Sequence, residues 1–400
     1  MFSERTNWRL AQNRYTQAVE QVRAKGGKIL DLTASNPTRV GLEYDSAAVL
    51  KALGSARALD YDPQAKGLLE AREAVAQYYR QSSVAAVDPE RIVLTTSTSE
   101  GYSFVFRLLC NAGEELLVPK PSYPLFEFLA DLHDVKLVPY PLIYDHEWQM
   151  DFHSLQKAVT KRTRGVVVVH PNNPTGSYVH AGEVGPLNAF CREHRLALIV
   201  DEVFLDYRLG DFQRGNKGSL DSARDDNSFC ANKEVLTFTL SGLSKISALP
   251  QMKVAWVVTS GPAPEVSEAM ARLEVIADTY LSMNAPVQWA VSALLEQRKA
   301  IQKQLLERIR KNLAELDRQI AGQNVCQRLL VEGGWYAVLR VPVTRSDEDL
   351  AIGLVREKSV LVHPGHFYDF PRDGYLVLSL INCEGEFSEG IGRVLQYLES

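Results

Sequence analysis

The chain has 400 residues, 46% of them hydrophobic and 23% charged, with a formal net charge of −5. This weakly acidic chain has no Lys/Arg block, which argues against nucleic-acid binding, and no apolar run approaches the length that spans a membrane. Five scattered cysteines without CxxC spacing, and a polar N-terminus unlike a signal peptide, predict no disulfides or zinc site and favour a reducing cytoplasm.

Helices and strands alternate along the first two-thirds of the chain. Apolar residues at helical spacing predict helices over residues 1–25, 68–79, 102–109, 151–159, 184–194 and 264–281. Apolar and β-branched runs predict strands at 29–32, 91–96, 115–119, 135–139, 164–169, 196–200, 235–240 and 252–258. The polar segment 208–232 predicts a long surface loop. Strands that alternate with helices favour a mostly parallel sheet with helices on both faces.

The last third of the chain has a different pattern. A helical pattern over 287–320 is long enough to connect two domains. Shorter elements follow it, with strands predicted at 336–341, 360–362 and 376–380 and helices at 347–358 and 390–398. Such a pattern predicts a smaller α+β domain.

Two charged residues lie directly after predicted buried strands, where α/β proteins usually bind ligands. Lys245 stands in a loop of small residues after the strand at 235–240. A lysine that is partly desolvated there can keep its amine neutral and form a Schiff base with a carbonyl, although most lysines are solvated surface charges. Asp201 follows five apolar residues, and burying its carboxylate is costly without a partner. Both residues are therefore candidates for a functional site.

Polar loops after other strands supply candidate binding groups. Residues 97–101 place hydroxyls and free N–H groups at a helix N-terminus, which suits an anion such as phosphate, although serine there can also simply cap the helix. Tyr123, between two prolines, can stack on a flat ring or only pack its own loop. Asn173 offers a side-chain amide beside a proline. The loop 33–38 is dense in turn formers and can be a simple turn.

Taken in order, these segments make the chain similar to the pyridoxal-phosphate-dependent aminotransferases of classes I and II, a family of fold type I. The similarity extends over nearly the whole chain and rests on Asn36-Pro37, Tyr61…Gly67, Ser97-Thr98-Ser99-Glu100, Pro121-Ser122-Tyr123-Pro124, Asn173-Pro174-Thr175-Gly176, Asp201-Glu202-Val203 and Ser244-Lys245 followed by Lys253. It implies an α/β fold, with a three-layer α/β/α large domain and a mostly parallel mixed sheet at 45–285. A smaller α+β domain would combine 1–44 with 286–400, which includes the long connecting helix.

The resemblance also implies an enzyme, a transaminase that uses pyridoxal 5'-phosphate to move an amino group between an amino acid or amine and a 2-oxo acid. Lys245 would carry the cofactor as a Schiff base and move a proton between the substrate α-carbon and the cofactor. Asp201 would pair with the pyridinium nitrogen and keep the ring an electron sink. A cytoplasmic homodimer with shared active sites is implied, without a metal and without a nucleic-acid or membrane partner.

Further residues are assigned to cofactor and substrate binding by the same resemblance. Asn173 would donate to the ring hydroxyl oxygen, and Tyr123 would stack on the ring face. The residues that would hold the phosphate are Ser97, Thr98, Ser99, Lys253, Ser241 or Ser244 and, across the dimer interface, Tyr61. Those that would contact the substrate are Ser35, Asn36, Trp335 and Arg372.

Three positions depart from the family pattern. Lys253 replaces the usual arginine by a point charge without a bidentate fork. Phe204 replaces a tyrosine, so the ring hydroxyl would lose one donor. Val377 stands where relatives have the arginine that grips the substrate α-carboxylate.

The valine at 377 leaves two hypotheses open. In the first, another arginine replaces the clamp, and Arg372 and Arg39 are the candidates. In the second, the substrate is an amine or is held in another way, and the alternative function is an amine-specific enzyme, a lyase or a decarboxylase on the same cofactor. A cofactor-binding regulator is a third class, against which the set of Lys245, Asp201 and Asn173 argues.

Overall fold

The computed structural model describes residues 1–8, 10–82, 86–210 and 228–400. Its strands, in chain order, are β1 Leu30–Asp31, β2 Ile92–Thr95, β3 Glu115–Lys120, β4 Lys136–Asp145, β5 Glu147–Met150, β6 Thr163–Val169, β7 Ala197–Asp201, β8 Thr237–Gly242, β9 Ala255–Ser260, β10 Gln327–Arg328, β11 Tyr336–Arg340, β12 Val360–Leu361, β13 His363–Pro364 and β14 Tyr375–Ser379. Its α-helices are α1 Arg14–Ala24, α2 Ser46–Leu53, α3 Leu69–Gln81, α4 Thr98–Leu109, α5 Leu125–Leu132, α6 Phe152–Ala158, α7 Ala181–His194, α8 Leu243–Ile246, α9 Ala263–Tyr280, α10 Ala285–Glu296, α11 Arg298–Ile320, α12 Asp347–Gly353 and α13 Glu384–Leu398.

The large sheet has eight strands in the described part of the chain, in the order β2-β9-β8-β7-β6-β3-β4-β5. The central pairs β8–β7, β7–β6, β6–β3 and β3–β4 are parallel. β9 is antiparallel to both of its neighbours, and β5 is antiparallel to β4. The carboxyl ends of β3, β4, β6, β7 and β8 therefore lie along one edge of the sheet, where ligands bind in such folds.

Apolar side chains alternate between two cores on the two faces of this sheet. On β6, Val167 and Val169 belong to one core, together with residues of α4, α5 and α9. Val166 and Val168 belong to the other, together with residues of α6 and α7. Fully burying each such side chain stabilises the fold by roughly 1.5–3 kcal/mol. The arrangement is the predicted one of helices, mixed sheet and helices in three layers.

A smaller antiparallel sheet lies in the C-terminal part of the chain, in the order β10-β11-β14-β13. Its core includes Leu313 of α11, Val394 of α13 and Ala18 of α1. β1 pairs in parallel with β12, so that Leu30 stands opposite Val360. The N-terminal segment thus packs with the C-terminal part. The exact division of the chain at residues 45 and 285 stays a prediction.

The long helix predicted over 287–320 is wrong in one respect, because it is two helices. α10 ends at Glu296 and α11 begins at Arg298. The buried guanidinium of Arg298 donates to the Leu295 carbonyl at 2.9 Å, and so satisfies a carbonyl at the end of α10. Apolar periodicity continues across the break and therefore does not reveal it.

The strand predicted at 135–139 is only the first part of a longer hairpin. β4 continues to Asp145, and His146, with a φ of +62°, turns the chain into β5. Prolines at 139 and 141 are unusual inside strands because proline cannot donate to a ladder. β5 pairs only with residues 142–145 of β4. At the two prolines, β4 therefore pairs only with β3 among the described strands, so their missing N–H groups interrupt no hydrogen bonds to β5.

The helix predicted over 1–25 starts later, at Arg14. Asn13 caps it, since its side-chain oxygen accepts from the Thr16 N–H at 2.7 Å, and such a cap fixes the first turn. No helix in the described ranges has the length and apolarity needed to cross a membrane.

The surface loop predicted at 208–232 falls partly outside the described residues, which omit 211–227. Its last part contradicts the prediction, because Ser228, Phe229 and Cys230 are buried. The buried carboxylate of Glu202 accepts from the Phe229 N–H at 2.6 Å. The hydrogen bond from the Phe229 N–H to the buried Glu202 carboxylate explains why residues 228–230 lie in the interior.

Candidate active site

Lys245 lies on the short helix α8, directly after β8, and its side chain is largely buried. Its Nζ is 4.7 Å from the centroid of the Trp335 ring and 5.4 Å from that of Phe204. Burial in this aromatic surrounding lowers the pKa of Lys245 to about 8, against the opposing effect of Asp201. A sizeable fraction of these amines is therefore neutral near neutral pH, which an ordinary surface lysine does not achieve.

Asp201 is the last residue of β7, the strand next to β8, and it is buried. Its Oδ2 accepts from the Tyr102 hydroxyl at 3.0 Å, and its Oδ1 accepts from the Val203 N–H at 3.1 Å. Burial raises the pKa of Asp201 to about 6, while these hydrogen bonds and the Lys245 charge oppose the rise. The carboxylate is therefore mostly ionised at neutral pH and is held in one orientation.

Tyr102 was missed in the sequence, although it offered a signal. It is a tyrosine on the apolar face of α4, and a buried tyrosine hydroxyl usually needs a partner. Burial and the Asp201 charge raise the pKa of Tyr102 well above its usual value. It therefore stays a hydrogen-bond donor at any physiological pH.

The hydroxyl-rich turn after β2 divides into two parts. Ser97 is the cap of α4, because its Oγ accepts from the Glu100 N–H at 3.2 Å, which is the capping alternative. The hydroxyls of Thr98 and Ser99, in the first helical turn, have no side-chain hydrogen bond to another described residue. These hydroxyls and the helix N-terminus remain available to an anion.

Tyr123 and Asn173 lie in the loops after β3 and β6, at the same sheet edge. Tyr123 is 43% exposed, yet its hydroxyl is close enough to Asp201 for that charge, together with burial, to raise its pKa. The Oδ1 of Asn173 is buried and has no hydrogen-bond partner among the described residues. The structure thus brings Tyr123 to the Lys245–Asp201 pair and leaves Asn173 with an unused polar group.

The other predicted phosphate ligands differ in how available their side chains are within one chain. Ser241 is buried and its Oγ donates to the Glu202 carbonyl at 3.4 Å, so its hydroxyl is already used. Ser244 has no side-chain hydrogen bond to a described residue. Lys253 is exposed, with a φ of +53°. Tyr61 is 83% exposed and lines a separate cavity of about 320 Å³.

The sequence model of the family "Aminotransferase class I and II" matches residues 27–379. The chain belongs to this family. It is 25% identical over 384 residues to the glutamate-pyruvate aminotransferase AlaA of Haemophilus influenzae, covering 94% of this chain and 91% of that one. It is also 25% identical over 398 residues to an alanine aminotransferase of Mycobacterium tuberculosis, covering 96% and 89%.

Solved structures show the same fold. An alanine aminotransferase from Pyrococcus furiosus superposes with a TM-score of 0.87 at 21% identity, covering 100% of both chains. An aminotransferase from Escherichia coli superposes with a TM-score of 0.85 at 22% identity, covering 100% of this chain and 98% of that one.

Class I and II aminotransferases depend on pyridoxal 5'-phosphate, and this aminotransferase is accordingly a pyridoxal-phosphate-dependent transaminase. It moves an amino group between an amino acid or amine and a 2-oxo acid. The alternative of a lyase, a decarboxylase or an amine-specific enzyme gains no support over transamination.

The residues of this aminotransferase fit the cofactor chemically. A partly neutral amine, on the helix that follows β8, and an ionised carboxylate, at the end of the neighbouring β7, lie at the same sheet edge. Buried polar atoms without partners lie in the loops at this edge and beside Lys245, since the Oγ of Ser122, the Oδ1 of Asn173 and the Nε1 of Trp335 make no hydrogen bond to described residues. Buried polar atoms are normally paired, so these suit a polar ligand.

The substrate candidates of the aminotransferase fall into two groups. Trp335 is fully buried beside Lys245. Ser35 and Asn36 are exposed, but their loop is fixed to β14, because the Ser379 hydroxyl donates to the Ala34 carbonyl at 2.6 Å. The loop therefore approaches the strand that carries Val377.

Arg39 and Arg372, the two predicted replacements for the carboxylate clamp, are both exposed. Neither side chain makes a hydrogen bond or ion pair to a described residue. Nothing in the geometry brings them to Lys245, so their role in substrate binding stays a prediction.

Val377 is fully buried on β14, between Val338 of β11 and His363 of β13. The Nδ1 of His363 lies 3.0 Å from the Tyr368 hydroxyl, and the Tyr368 carbonyl accepts from the Ser122 N–H at 2.9 Å. Burial lowers the pKa of His363, against the opposing charge of Asp31. Val338 and His363, the residues directly opposite Val377, therefore offer no fixed positive charge at the clamp position, and sequence reasoning had not singled out His363 or Tyr368.

Phe204 packs edge-on against Trp335, with ring centroids 5.3 Å apart. It thus contributes to the apolar wall beside Lys245 and offers no hydroxyl. The hydroxyl of nearby Tyr207 donates to the Lys245 carbonyl at 2.7 Å. It therefore fixes the backbone of the lysine and does not replace the missing donor.

Proposed function

We propose that Lys245 binds pyridoxal 5'-phosphate covalently at the carboxyl edge of the large sheet, with Asp201 as the partner of the ring nitrogen. The observation that carries this proposal is the buried pair itself. Burial disfavours the charges of both side chains, which lie at the ends of the neighbouring strands β7 and β8, Asp201 on β7 and Lys245 on the helix after β8, within electrostatic reach. A neutral amine is the form that attacks a carbonyl.

Each member of the pair then has a chemical task. The bound cofactor supplies an electron sink for the bonding electrons of the substrate α-carbon. The Asp201 charge holds a proton at the ring nitrogen, while the Tyr102 hydroxyl keeps the carboxylate oriented. The amine of Lys245, with a pKa of about 8, accepts and returns the proton of the α-carbon. Trp335 and Phe204 exclude water from that amine.

The phosphate site is proposed at the start of α4. The unpaired hydroxyls of Thr98 and Ser99 and the free N–H groups of the helix provide donors, and Ser244 lies on the Lys245 helix. Ser97 serves mainly as the helix cap. Lys253 supplies a point charge at longer range. Tyr123 is proposed to cover the ring face, and Asn173 to bond the ring hydroxyl oxygen.

A homodimer with shared sites follows from what one chain leaves exposed. Tyr61 is 83% exposed, and tyrosine is a residue type that is enriched at protein–protein interfaces. We propose that Tyr61 reaches the phosphate site of the partner subunit.

The five free cysteines support a reducing cytoplasm. The large domain is proposed at 45–285 and the small domain at 1–44 with 286–400.

The substrates are proposed to be glutamate as amino donor and pyruvate as acceptor, with alanine as product. The names of the relatives from Haemophilus influenzae and Mycobacterium tuberculosis support this choice. Both substrates carry an α-carboxylate, so the valine at 377 requires that another group bind that carboxylate.

One experiment tests the proposed chemistry directly. The purified enzyme is reduced with borohydride, and mass spectrometry locates the cofactor. We expect the adduct on Lys245, none in Lys245→Ala, and an unchanged adduct in Lys311→Ala, a surface lysine. Glutamate should bleach the visible absorbance band and pyruvate should restore it. An adduct on any other lysine would refute the assignment of Lys245.

A further inference from the structure

Arg340, at the end of β11, has no hydrogen-bond or ion-pair partner in the part of the chain that the structure describes. Its side chain is partly buried, and its Nε is fully buried without an acceptor among those residues. Its guanidinium carbon lies 5.4 Å from the centroid of the Tyr144 ring. No acid or carbonyl among the described residues accepts from this side chain. A buried guanidinium N–H without an acceptor is costly to the fold, which points to an acceptor on a bound ligand.

The position of Arg340 in the small sheet places it on the same face as Val377. Arg340 stands opposite Tyr375, and Val338 stands opposite Val377. Residues directly opposite one another share a face, and diagonal neighbours lie about 7–8 Å apart, within reach of long side chains. The guanidinium of Arg340 can therefore reach the side chain of Val377 on that face.

The same face leads to Lys245. Tyr336 precedes Arg340 by four residues, and its ring lies 6.2 Å from that of Phe204, which is itself 5.4 Å from the Lys245 Nζ. Four residues of strand span about 13 Å. A long arginine side chain and a substrate of a few carbons fill such a span together.

A second donor packs against Tyr144. The Nε1 of Trp148 is buried without a hydrogen-bond partner among the described residues, and the Trp148 ring is 5.1 Å from that of Tyr144. Phe370 extends the same wall, since it lies 6.2 Å from Trp148 and stacks on Tyr375 at 4.4 Å. The Tyr144 ring is fixed, because its hydroxyl accepts from the Leu330 N–H at 3.1 Å.

We propose that Arg340, with Trp148 as a second donor, binds a carboxylate of the amino-acid and 2-oxo-acid substrates. This inference rests on the proposed function, because it assumes that the substrate reacts at Lys245. A planar guanidinium can bind a carboxylate through two parallel hydrogen bonds, and the aromatic wall removes competing water. Arg39 and Arg372 lack such a surrounding, since both are exposed.

The test is binding of two unreactive acids to the intact holoenzyme, measured by calorimetry. Propionate offers one carboxylate and glutarate offers two. Arg340→Met should weaken glutarate binding by about 10- to 100-fold, the loss expected for hydrogen bonds between charged groups. Arg340→Lys keeps the positive charge but loses the planar guanidinium, so its affinity for glutarate should lie between those of the wild type and Arg340→Met. Arg345→Met is the matched control, because its guanidinium also lies 5.4 Å from a tyrosine ring, that of Tyr397.

The two acids show which carboxylate is bound. Equal weakening of propionate and glutarate assigns Arg340 to the α-carboxylate, and weakening of glutarate alone assigns it to the side-chain carboxylate. Unchanged binding of both acids to Arg340→Met overturns the proposal. The cofactor adduct on Lys245 is checked in the same variant. Its presence there separates failure of this inference from failure of the proposed function, in which the wild type also lacks the adduct.

Discussion

The buried charge of Asp201 gives a prediction that links stability to function. A pKa of about 6 in place of an ordinary 3.8 corresponds to a cost of about 3 kcal/mol for keeping this carboxylate ionised in the fold. Above pH 6 the group is charged in both folded and unfolded chains, so the whole cost is present. As the pH falls from 6 to 3.8, the folded protein takes up the proton first and the cost disappears.

Asp201→Asn should therefore stabilise the cofactor-free protein by about 1–3 kcal/mol at pH 7.5, with the lower figure allowing for weaker hydrogen bonds from Tyr102 and Val203. With an unfolding entropy of about 2.1 cal/mol/K per residue, this raises the melting temperature by about 1–4 °C. At pH 5 the gain should shrink to about half.

Differential scanning fluorimetry of the cofactor-free protein at both pH values measures the gain. Glu202→Gln is a second test of the same reasoning in another pH window, because burial raises the pKa of Glu202 from 4.5 to about 8. Its stabilisation should be full above pH 8, still large at pH 7.5 and much smaller at pH 5, where even the unfolded chain begins to take up the proton. If Asp201→Asn has a lower melting temperature than the wild type at every pH, the ionised carboxylate of Asp201 does not destabilise the cofactor-free protein, and the reasoning is refuted.

Four further outcomes follow from the same geometry. Tyr102→Phe removes a 3.0 Å hydrogen bond to Asp201 and should slow the half-reaction with glutamate about tenfold, measured by stopped-flow absorbance; an unchanged rate contradicts the orienting role. Reattachment of the cofactor to the cofactor-free enzyme should speed up as the pH rises through about 8, the pKa of Lys245, and a midpoint near 10.5 would show an ordinary lysine. The His180–Glu332 hydrogen bond raises the pKa of His180 to about 9, so its stabilisation is complete below pH 6.5 and lost as the pH rises through 9; the melting difference between the wild type and His180→Gln should close by pH 10. Mixed dimers of Lys245→Ala and Tyr61→Ala subunits should regain one intact site each, and inactive mixtures would rule out sharing.

Much of the fold and the central pair could be predicted because their signals are local. Asp201 ends an apolar run, and Lys245 follows another, so each is visible within a few residues. Tyr102 bonds Asp201 across 99 positions of sequence. That contact depends on how α4 packs on the sheet, which no local pattern reveals.

The substrate side was harder to predict for a related reason. The position of Arg340 near Val377 depends on the register between β11 and β14. Its contact with Tyr144 depends on the hairpin of β4 and β5, whose second strand was not predicted from the sequence. The prediction therefore favoured Arg372 and Arg39, whose side chains prove to be exposed. Tyr61 is also exposed in a single chain, so its proposed role depends on a partner subunit that one sequence does not describe.

The parallel pairing of β1 with β12 has a consequence for how the enzyme is made. The loop with Ser35 and Asn36 is tied to Ser379, which comes 345 residues after Ala34. Chains emerge from the ribosome N-terminus first, so the earliest-made segment must wait, without its strand partner, until nearly the whole polypeptide has been synthesised. A nascent chain halted before β14 would already hold the lysine and the aspartate, yet could not present this loop to a substrate.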